Sequence, residues 1–234
     1  ALAGASVALI PMISPPVLRI AADAFDALNM PLLAGTFTAV LLLLLVPVTL
    51  LGTITPFGLK LMISDTTTTG KVTGGASAVS TVGSFIGTFL TVLVLIPVLG
   101  TRRTFFLISA VLLLTAAIGF LFSRKFLLAV LAFILMLAVL ALEVFGLAGP
   151  IKQTTGMIHE SESAYNYIQV LEDGKFRFLR LNEGQGMHSI YHPTQLYYAG
   201  PWSQMLVGYA FNPGEPGAES VKNIAILGLA AGTT

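Results

Sequence analysis

The stretch "TRRTFFLISAVLLLTAAIGFLFSRKFLLAVLAFILMLAVLALEVFG", residues 101–146, decides the fold. It holds two apolar runs separated only by Ser123, Arg124 and Lys125. A bilayer crossing takes about 20 apolar residues, and each run is long enough. Backbone groups in lipid must find hydrogen-bond partners within their own segment, so both runs are predicted to be helices. The three-residue connection then requires an antiparallel helical hairpin.

Apolar runs of this kind fill the first 150 residues, which are predicted to form a transmembrane region. Four runs are expected to cross the membrane, at about 32–51, 76–99, 104–122 and 126–148. The segment at about 16–29 has apolar residues at helical spacing, which predicts an amphipathic helix in the membrane interface or an ordinary short helix packed on the bundle. Residues 1–13 lack the features of a signal peptide and look like the end of a further spanning helix.

The composition supports a multi-pass membrane protein. The 234 residues are 55% hydrophobic and only 10% charged, whereas soluble domains carry roughly 25% charged residues. A net charge of +1 does not produce the positive electrostatic field that attracts nucleic acid, so nucleic acid is not expected as a partner. The chain has no cysteine and three histidines, and no metal site is expected. The expected partners are membrane lipid and other membrane subunits or a second copy of the chain.

Two features of the apolar half bear on function or packing. Glu143 is the single acidic residue inside the four predicted spans. Because a carboxylate in lipid is costly, it should either contact a proton or substrate in a cavity, or reach headgroups or a partner helix from its place near the helix end. Gly83 and Gly87 form a GxxxG pair, which predicts close packing of that helix against another.

Residues 151–219 change to a β-rich pattern. In "YNYIQVLEDGKFRFLRL", residues 165–181, two β-rich runs flank the dipeptide Asp173-Gly174, which predicts a hairpin. Ile168 and Val170 should share one strand face, as should Phe176 and Phe178.

Two later segments suggest ligand binding. "LNEGQGMHSIYHPTQLYYAGPW", residues 181–202, is dense in polar and aromatic groups. It could line a pocket for a polar ligand beside an adenine-like ring, or be a β-rich segment with exposed polar side chains. Residues 220–234 contain "NIAILGLAAGTT", an apolar run that predicts a buried parallel strand followed by a Gly-rich turn. Such a turn is typical of the start of a Rossmann-like nucleotide-binding domain, and also of plain connections.

The order of these pieces resembles the spermidine synthase family. "ESAYNYIQVLEDGKFRFLRLNEG", "HSIYHP", "QLYYAGPW" and "NIAILGLAAGT" follow one another as the family's Ser-x-Tyr-x-x-Ile-x-Val strand, turn and Gly-rich loop do. "LLGTITPFGLKL" and the run from Gly74 to Thr104 look like the membrane region of the fused spermidine-synthase-like membrane proteins. The resemblance implies a helical membrane bundle, then an N-terminal β-layer and the first strand of an α/β Rossmann-like domain.

The resemblance also implies an activity and its residues. The family transfers an aminopropyl group from decarboxylated S-adenosylmethionine, an S-adenosylmethionine-type nucleoside, to putrescine. Gln185 or His188 matches the polar position near the nucleoside, and Tyr197 and Tyr198 match the tyrosine of the amine pocket. The residues matching the nucleotide turn are Gly228, Gly232 and Thr233. A bacterial plasma membrane is the expected location.

The sequence departs from the family at two places. Soluble members carry an Asp-Glu pair before the tyrosine and a Gly-Gly-Gly-Asp-Gly type turn, where this chain has "PTQLYY" and "GLAAGT". The family's catalytic aspartate follows the Gly-rich turn, beyond Thr234. We therefore expect a fragment of a membrane-anchored aminopropyltransferase-like or methyltransferase-like enzyme, inactive as this chain. The alternatives are a structural or assembly subunit of a membrane complex and, ranked last, a transporter.

Overall fold

The computed structural model describes most of the chain. The described residues are 1–27, 31–63, 69–146, 149–152, 154–163, 165–181, 186–195, 197, 201–211, 219, 222–223, 225 and 228. They form two compact units, Ala1–Lys152 and Gln153–Thr234. The first unit is helical, and the second contains a small sheet.

The helices of the first unit follow one another with short connections. Their bounds are α1 Leu2–Ala27, α2 Leu32–Gly52, α3 Ile54–Met62, α4 Thr69–Leu90, a π-helical turn Thr91–Leu95, α5 Ile96–Leu99, α6 Thr101–Phe122 and α7 Phe126–Val144. The π turn ends two residues before Pro97, whose ring perturbs a helix because it lacks an N–H and collides with the carbonyl four residues earlier.

Five helical stretches in the described part of the chain are long and apolar enough to cross a membrane. They run over Leu2–Phe25, Leu33–Met62, Thr69–Leu99, Thr101–Phe122 and Phe126–Val144. The four spans predicted from the sequence lie within or overlap the last four of these. The chain is therefore compatible with a multi-pass membrane protein, as its composition indicates.

The structure differs from the prediction at the N-terminal end. The described part of the predicted segment 16–29 is not a separate interfacial helix, because α1 continues through it and belongs to a fifth candidate span. Pro11, Pro15 and Pro16 lie inside α1, and each removes a helical hydrogen bond. Prolines are nevertheless tolerated in membrane helices, where neighbouring groups satisfy the freed carbonyls.

The predicted hairpin of α6 and α7 is confirmed. The two helices pack against each other and are joined by Ser123, Arg124 and Lys125. Arg124 has a φ of 56°, the left-handed conformation that reverses the chain. At the far end, α7 stops at Val144, earlier than the predicted residue 148. Gly146 has a φ of 65° there, and its amide donates to the Glu143 carbonyl at 3.1 Å.

A close contact joins α1 to α6. The buried Ser109 hydroxyl donates to the Gly4 carbonyl at 2.7 Å. A methyl group at Gly4 would lie 2.9 Å from Leu113 Cγ and 3.1 Å from Leu112 Cβ. Small residues permit such approach between helices in lipid. Apolar side chains around this contact form the core of the unit: Ala8, Phe106, Ala110, Leu113, Met136 and Val139.

We expect Gly4→Leu to separate α1 from α6, because the new side chain would occupy the volume of Leu113. Overpacking of this kind costs about 1–3 kcal/mol. Thermal unfolding of the protein in detergent, followed by circular dichroism, measures the loss. Gly119→Leu is the matched control, because no atom lies within 4 Å of the position its Cβ would take. Equal midpoints for the two variants would contradict the described packing.

The second unit contains a four-stranded antiparallel sheet. Its strands are β1 Met157–Glu162, β2 Tyr167–Asp173, β3 Phe176–Leu181 and β4 Gly186–Tyr191, in the order β1-β2-β3-β4. Two short helical pieces follow, α8 Pro201–Gln204 and a 3₁₀ helix Met205–Phe211.

The predicted hairpin between β2 and β3 is confirmed, with a small shift of the turn. Asp173 pairs with Phe176, so the two loop residues are Gly174 and Lys175 rather than Asp173 and Gly174. Gly174 has a φ of 60° and Lys175 does not have a positive φ, which is the pattern of a type II′ turn. Phe176 and Phe178 stack at 6.0 Å between ring centroids, so they share a face as predicted.

The described residues near the C-terminus do not include a strand. Lys222, Asn223, Ala225 and Gly228 are exposed and lie outside regular structure. The other residues of the predicted parallel strand lie outside the described part of the chain. A Rossmann-like identity therefore remains a prediction.

Candidate functional site

Among the described residues of the helical unit, one charged cluster joins two of the candidate spans. Glu143 lies in the last turn of α7, and Arg102 and Arg103 lie in the first turn of α6. Arg102 Nε donates to Glu143 Oε2 at 3.2 Å, and Arg103 Nε donates to Glu143 Oε1 at 2.9 Å. Arg102 Nη1 also donates to the carbonyl of Gly149. Each oxygen of the Glu143 carboxylate therefore accepts a hydrogen bond from a different arginine.

This geometry decides between the two interpretations of Glu143. Its side chain is 16% exposed and faces the neighbouring helix, where Arg102 is 20% exposed. The Glu143 carboxylate, with two guanidinium partners on α6, closes the open end of the α6–α7 hairpin. The interpretation that Glu143 reaches a partner helix is confirmed.

The second unit has a polar network on one face of its sheet. Glu160 pairs with Gln169, and Met157 pairs with Leu171 across β1 and β2. A β-bulge between Met157 and His159 adds one residue to β1, which brings Met157 and Glu160 to the same face. Tyr167 lies on this face too, two residues before Gln169.

Hydrogen bonds connect these side chains into a chain of partners. Gln169 Nε2 donates to Thr154 Oγ1 at 3.0 Å and to the Tyr167 hydroxyl at 3.1 Å. The Tyr167 hydroxyl donates to Glu160 Oε2 at 2.7 Å. Gln169 and Tyr167 are only 2% and 4% exposed, so their polar atoms need these partners. The network fixes the position of the half-buried Glu160 carboxylate.

His188 is placed by a second bulge, in β4. Ser189 pairs with Leu179 and Met187 pairs with Arg180, so His188 is the extra residue. Its imidazole lies over Gly186, where an added methyl group would be 2.7 Å from His188 Nε2. Bulges are frequent beside active sites because they redirect a side chain out of the regular alternation. Glycine at 186 leaves the space that this ring occupies.

Tyr197 follows a turn that is held by His192. His192 Nδ1 accepts from the backbone amides of Thr194 at 3.2 Å and Gln195 at 2.8 Å. Gln195 Nε2 donates to the Tyr197 carbonyl at 2.7 Å, and the Tyr197 side chain is 72% exposed. The His192 ring also contacts the Phe176 ring of β3, with 4.6 Å between the ring centroids, and this contact attaches the turn to the sheet.

The sequence-predicted site residues are only partly assembled. Among the described residues, neither a hydrogen bond nor a ring contact joins Tyr197 to His188. Gly228 has a φ of 88°, a conformation open to glycine and suited to a tight turn. Four predicted residues lie outside the described part of the chain: Gln185, Tyr198, Gly232 and Thr233.

The sequence reasoning missed the polar network. It considered Ile168 and Val170, but the opposite face of β2 carries the buried residues Tyr167, Gln169 and Leu171. The alternating positions of these three residues could have indicated a buried face. The participation of Glu160 could not have been predicted, because it depends on a bulge that shifts β1 by one residue.

Comparisons of the chain with models of protein families, with curated proteins and with solved structures find no match. Function is therefore inferred from the residues and their geometry.

Proposed function

We propose that the chain is the membrane region and substrate-facing β-layer of a membrane-anchored, spermidine synthase-like aminopropyltransferase, or of a related methyltransferase-like enzyme, in a bacterial plasma membrane. One observation carries the proposal. The strands that resemble the family's β-layer pair as one antiparallel sheet, and His188, one of the two residues matched to the nucleoside position, lies in a bulge of that sheet.

The proposed reaction transfers an aminopropyl group from a sulfonium to an amine. The neutral amine nitrogen attacks the carbon bound to sulfur, the new C–N bond forms, and the C–S bond breaks. Its electron pair stays on sulfur, which yields a neutral thioether, and the amine nitrogen loses a proton to a base. Holding the two reactants together supplies much of the rate in such a reaction.

Residues of the sheet unit have the chemistry that these substrates require. A diamine is a dication at neutral pH and requires a carboxylate partner, and the Glu160 carboxylate is held in place by the Tyr167 hydroxyl. A cationic amine is attracted to the face of an aromatic ring, and the Tyr197 ring, matched to the family's amine pocket, is exposed. Gly228, with its left-handed backbone, fits the expected nucleotide turn. The five candidate spans would serve as the anchor.

The proposal predicts that the purified protein binds methylthioadenosine and decarboxylated S-adenosylmethionine. We expect His188→Ala to weaken binding about tenfold, the loss typical of one charged or well-aligned hydrogen bond. Isothermal titration calorimetry of the protein in detergent measures this loss. His159→Ala is the matched control, because His159 lies in the same sheet and is exposed. No binding of either compound by the folded full-length protein, or equal losses in both variants, would reject the enzyme proposal.

A second function is a structural or assembly subunit of a larger membrane complex. It is favoured by α4, which has no buried residue along its described length. Gly83 and Gly87 on this helix have no atom within 4 Å of the positions their Cβ atoms would take, so their predicted packing partner is not within the described chain. Stoichiometric copurification with a larger membrane assembly, without nucleoside binding, would support this function over the first.

A further inference from the structure

With α6 taken as a membrane span, the positions of Arg102, Arg103 and Glu143 along the helices set the depth of their cluster. The 22 residues of α6 rise about 1.5 Å each, so the helix extends over about 33 Å. The hydrocarbon core is roughly 30 Å thick. Both arginines lie in the first turn of α6 and Glu143 lies in the last turn of α7. The cluster is therefore at the level where lipid phosphates begin.

The charges of the cluster do not cancel. Two guanidinium groups share one carboxylate, which leaves a net charge of +1. Arg102 is 20% exposed and uses its Nε for Glu143 and its Nη1 for the Gly149 carbonyl. Arg103 is 63% exposed and uses only Nε among the described residues. The excess charge is thus presented by the terminal nitrogens of Arg103.

Glu143 also limits where the Arg103 guanidinium lies. Its Oε1 accepts from Arg103 Nε at 2.9 Å, while its Oε2 is held by the half-buried Arg102. A guanidinium whose Nε is anchored keeps its planar fork in one orientation, so less rotamer freedom remains to be lost when an anion binds. A phosphate accepts two parallel N–H bonds from such a fork.

We propose that Arg103, held in place by Glu143, binds the phosphate of an anionic membrane lipid. The ligand chemistry is a phosphate oxygen anion, and the depth of the cluster favours a lipid headgroup over a dissolved ion. This inference is independent of the proposed transferase function, because it involves only the membrane unit.

Native mass spectrometry tests the proposal by counting lipids on the protein as phosphatidylglycerol is titrated into detergent micelles. We expect one retained phosphatidylglycerol, and about fivefold weaker retention for Arg103→Gln. Arg103→Lys keeps the charge but lacks the fork, and we expect a similar loss. Arg124→Gln and Arg124→Lys are the matched controls, because Arg124 is exposed in the connection at the other end of the hairpin. They should retain the lipid as the unaltered protein does.

Three results would overturn the proposal. Arg103→Lys with unchanged retention would mean that charge alone attracts the lipid and that no site is built. Equal losses for the Arg103 and Arg124 variants would mean that any interfacial arginine serves. Displacement of the lipid by an equal concentration of inorganic phosphate would mean that the occupant is a dissolved phosphate compound. A thermal unfolding curve for each variant ensures that a loss of retention reflects the site and not the fold.

Discussion

Gly156→Ala is expected to open the first two strands of the sheet. Gly156 has a φ of 76°, which costs an alanine about 1–2 kcal/mol. In addition, a methyl group at this position would lie 2.5 Å from the carbonyl oxygen of Glu172. That oxygen belongs to the backbone and cannot move alone, because the Glu172 amide donates to the Gly156 carbonyl at 2.7 Å. The total expected loss is about 3 kcal/mol.

Hydrogen exchange of the full chain, read by mass spectrometry on peptides covering β1 and β2, measures this loss locally. Gly174→Ala is the matched control, since Gly174 also has a positive φ but no atom lies within 4 Å of its Cβ position. Gly174→Ala should lose only this conformational part of the stability, about 1–2 kcal/mol. If both variants exchange at the same rate, then the close approach of Gly156 to β2 does not exist as described.

Glu143→Gln is expected to weaken the α6–α7 hairpin by about 2–3 kcal/mol, because it leaves the half-buried Arg102 guanidinium without its counter-charge. The substitution keeps the size of the side chain, so little of the loss comes from packing. Unfolding of the protein in detergent by increasing dodecyl sulfate, followed by circular dichroism, measures the free energy.

A double-mutant cycle divides this loss between the two arginines. We expect the coupling of Glu143 with Arg102 to exceed 1 kcal/mol, because both side chains are largely shielded from water. The coupling with Arg103 should be about 0.5 kcal/mol, since Arg103 is 63% exposed. If the stability of Glu143→Gln is unchanged, the result would support the other interpretation of Glu143, which is contact with a proton or a substrate.

The α6–α7 hairpin and the β2–β3 hairpin were both predictable because they depend on local rules. A three-residue connection between two apolar runs permits little besides an antiparallel pair. An Asp-Gly pair between β-rich runs has few alternatives, although the turn shifted by one residue onto Gly174 and Lys175. The continuity of α1 was less predictable, because Pro11, Pro15 and Pro16 are tolerated through the surrounding membrane bundle rather than through any local preference.

The candidate site was likewise predictable only in part from the sequence. His188 and Tyr197 were identified from the order of motifs, but their surroundings were not. The space for the His188 ring depends on a bulge in β4 and on Gly186. The turn before Tyr197 depends on the two hydrogen bonds that His192 Nδ1 accepts from backbone amides. Such contacts follow from strand register, which a sequence pattern with a period of two does not specify when a bulge adds a residue.

The sequence by itself determined that this is a chain of apolar helices followed by a β-rich segment, because composition and periodicity dictate which backbone structures can satisfy their hydrogen bonds in lipid and in water. It also marked Glu143 as unusual. Only the tertiary structure decided what Glu143 does, since its partners Arg102 and Arg103 are about 40 residues away in the chain. It also decided that Glu160, Tyr167 and Gln169 form one network. The structural role of a charged or polar group is defined only when packing places its partner within hydrogen-bonding distance.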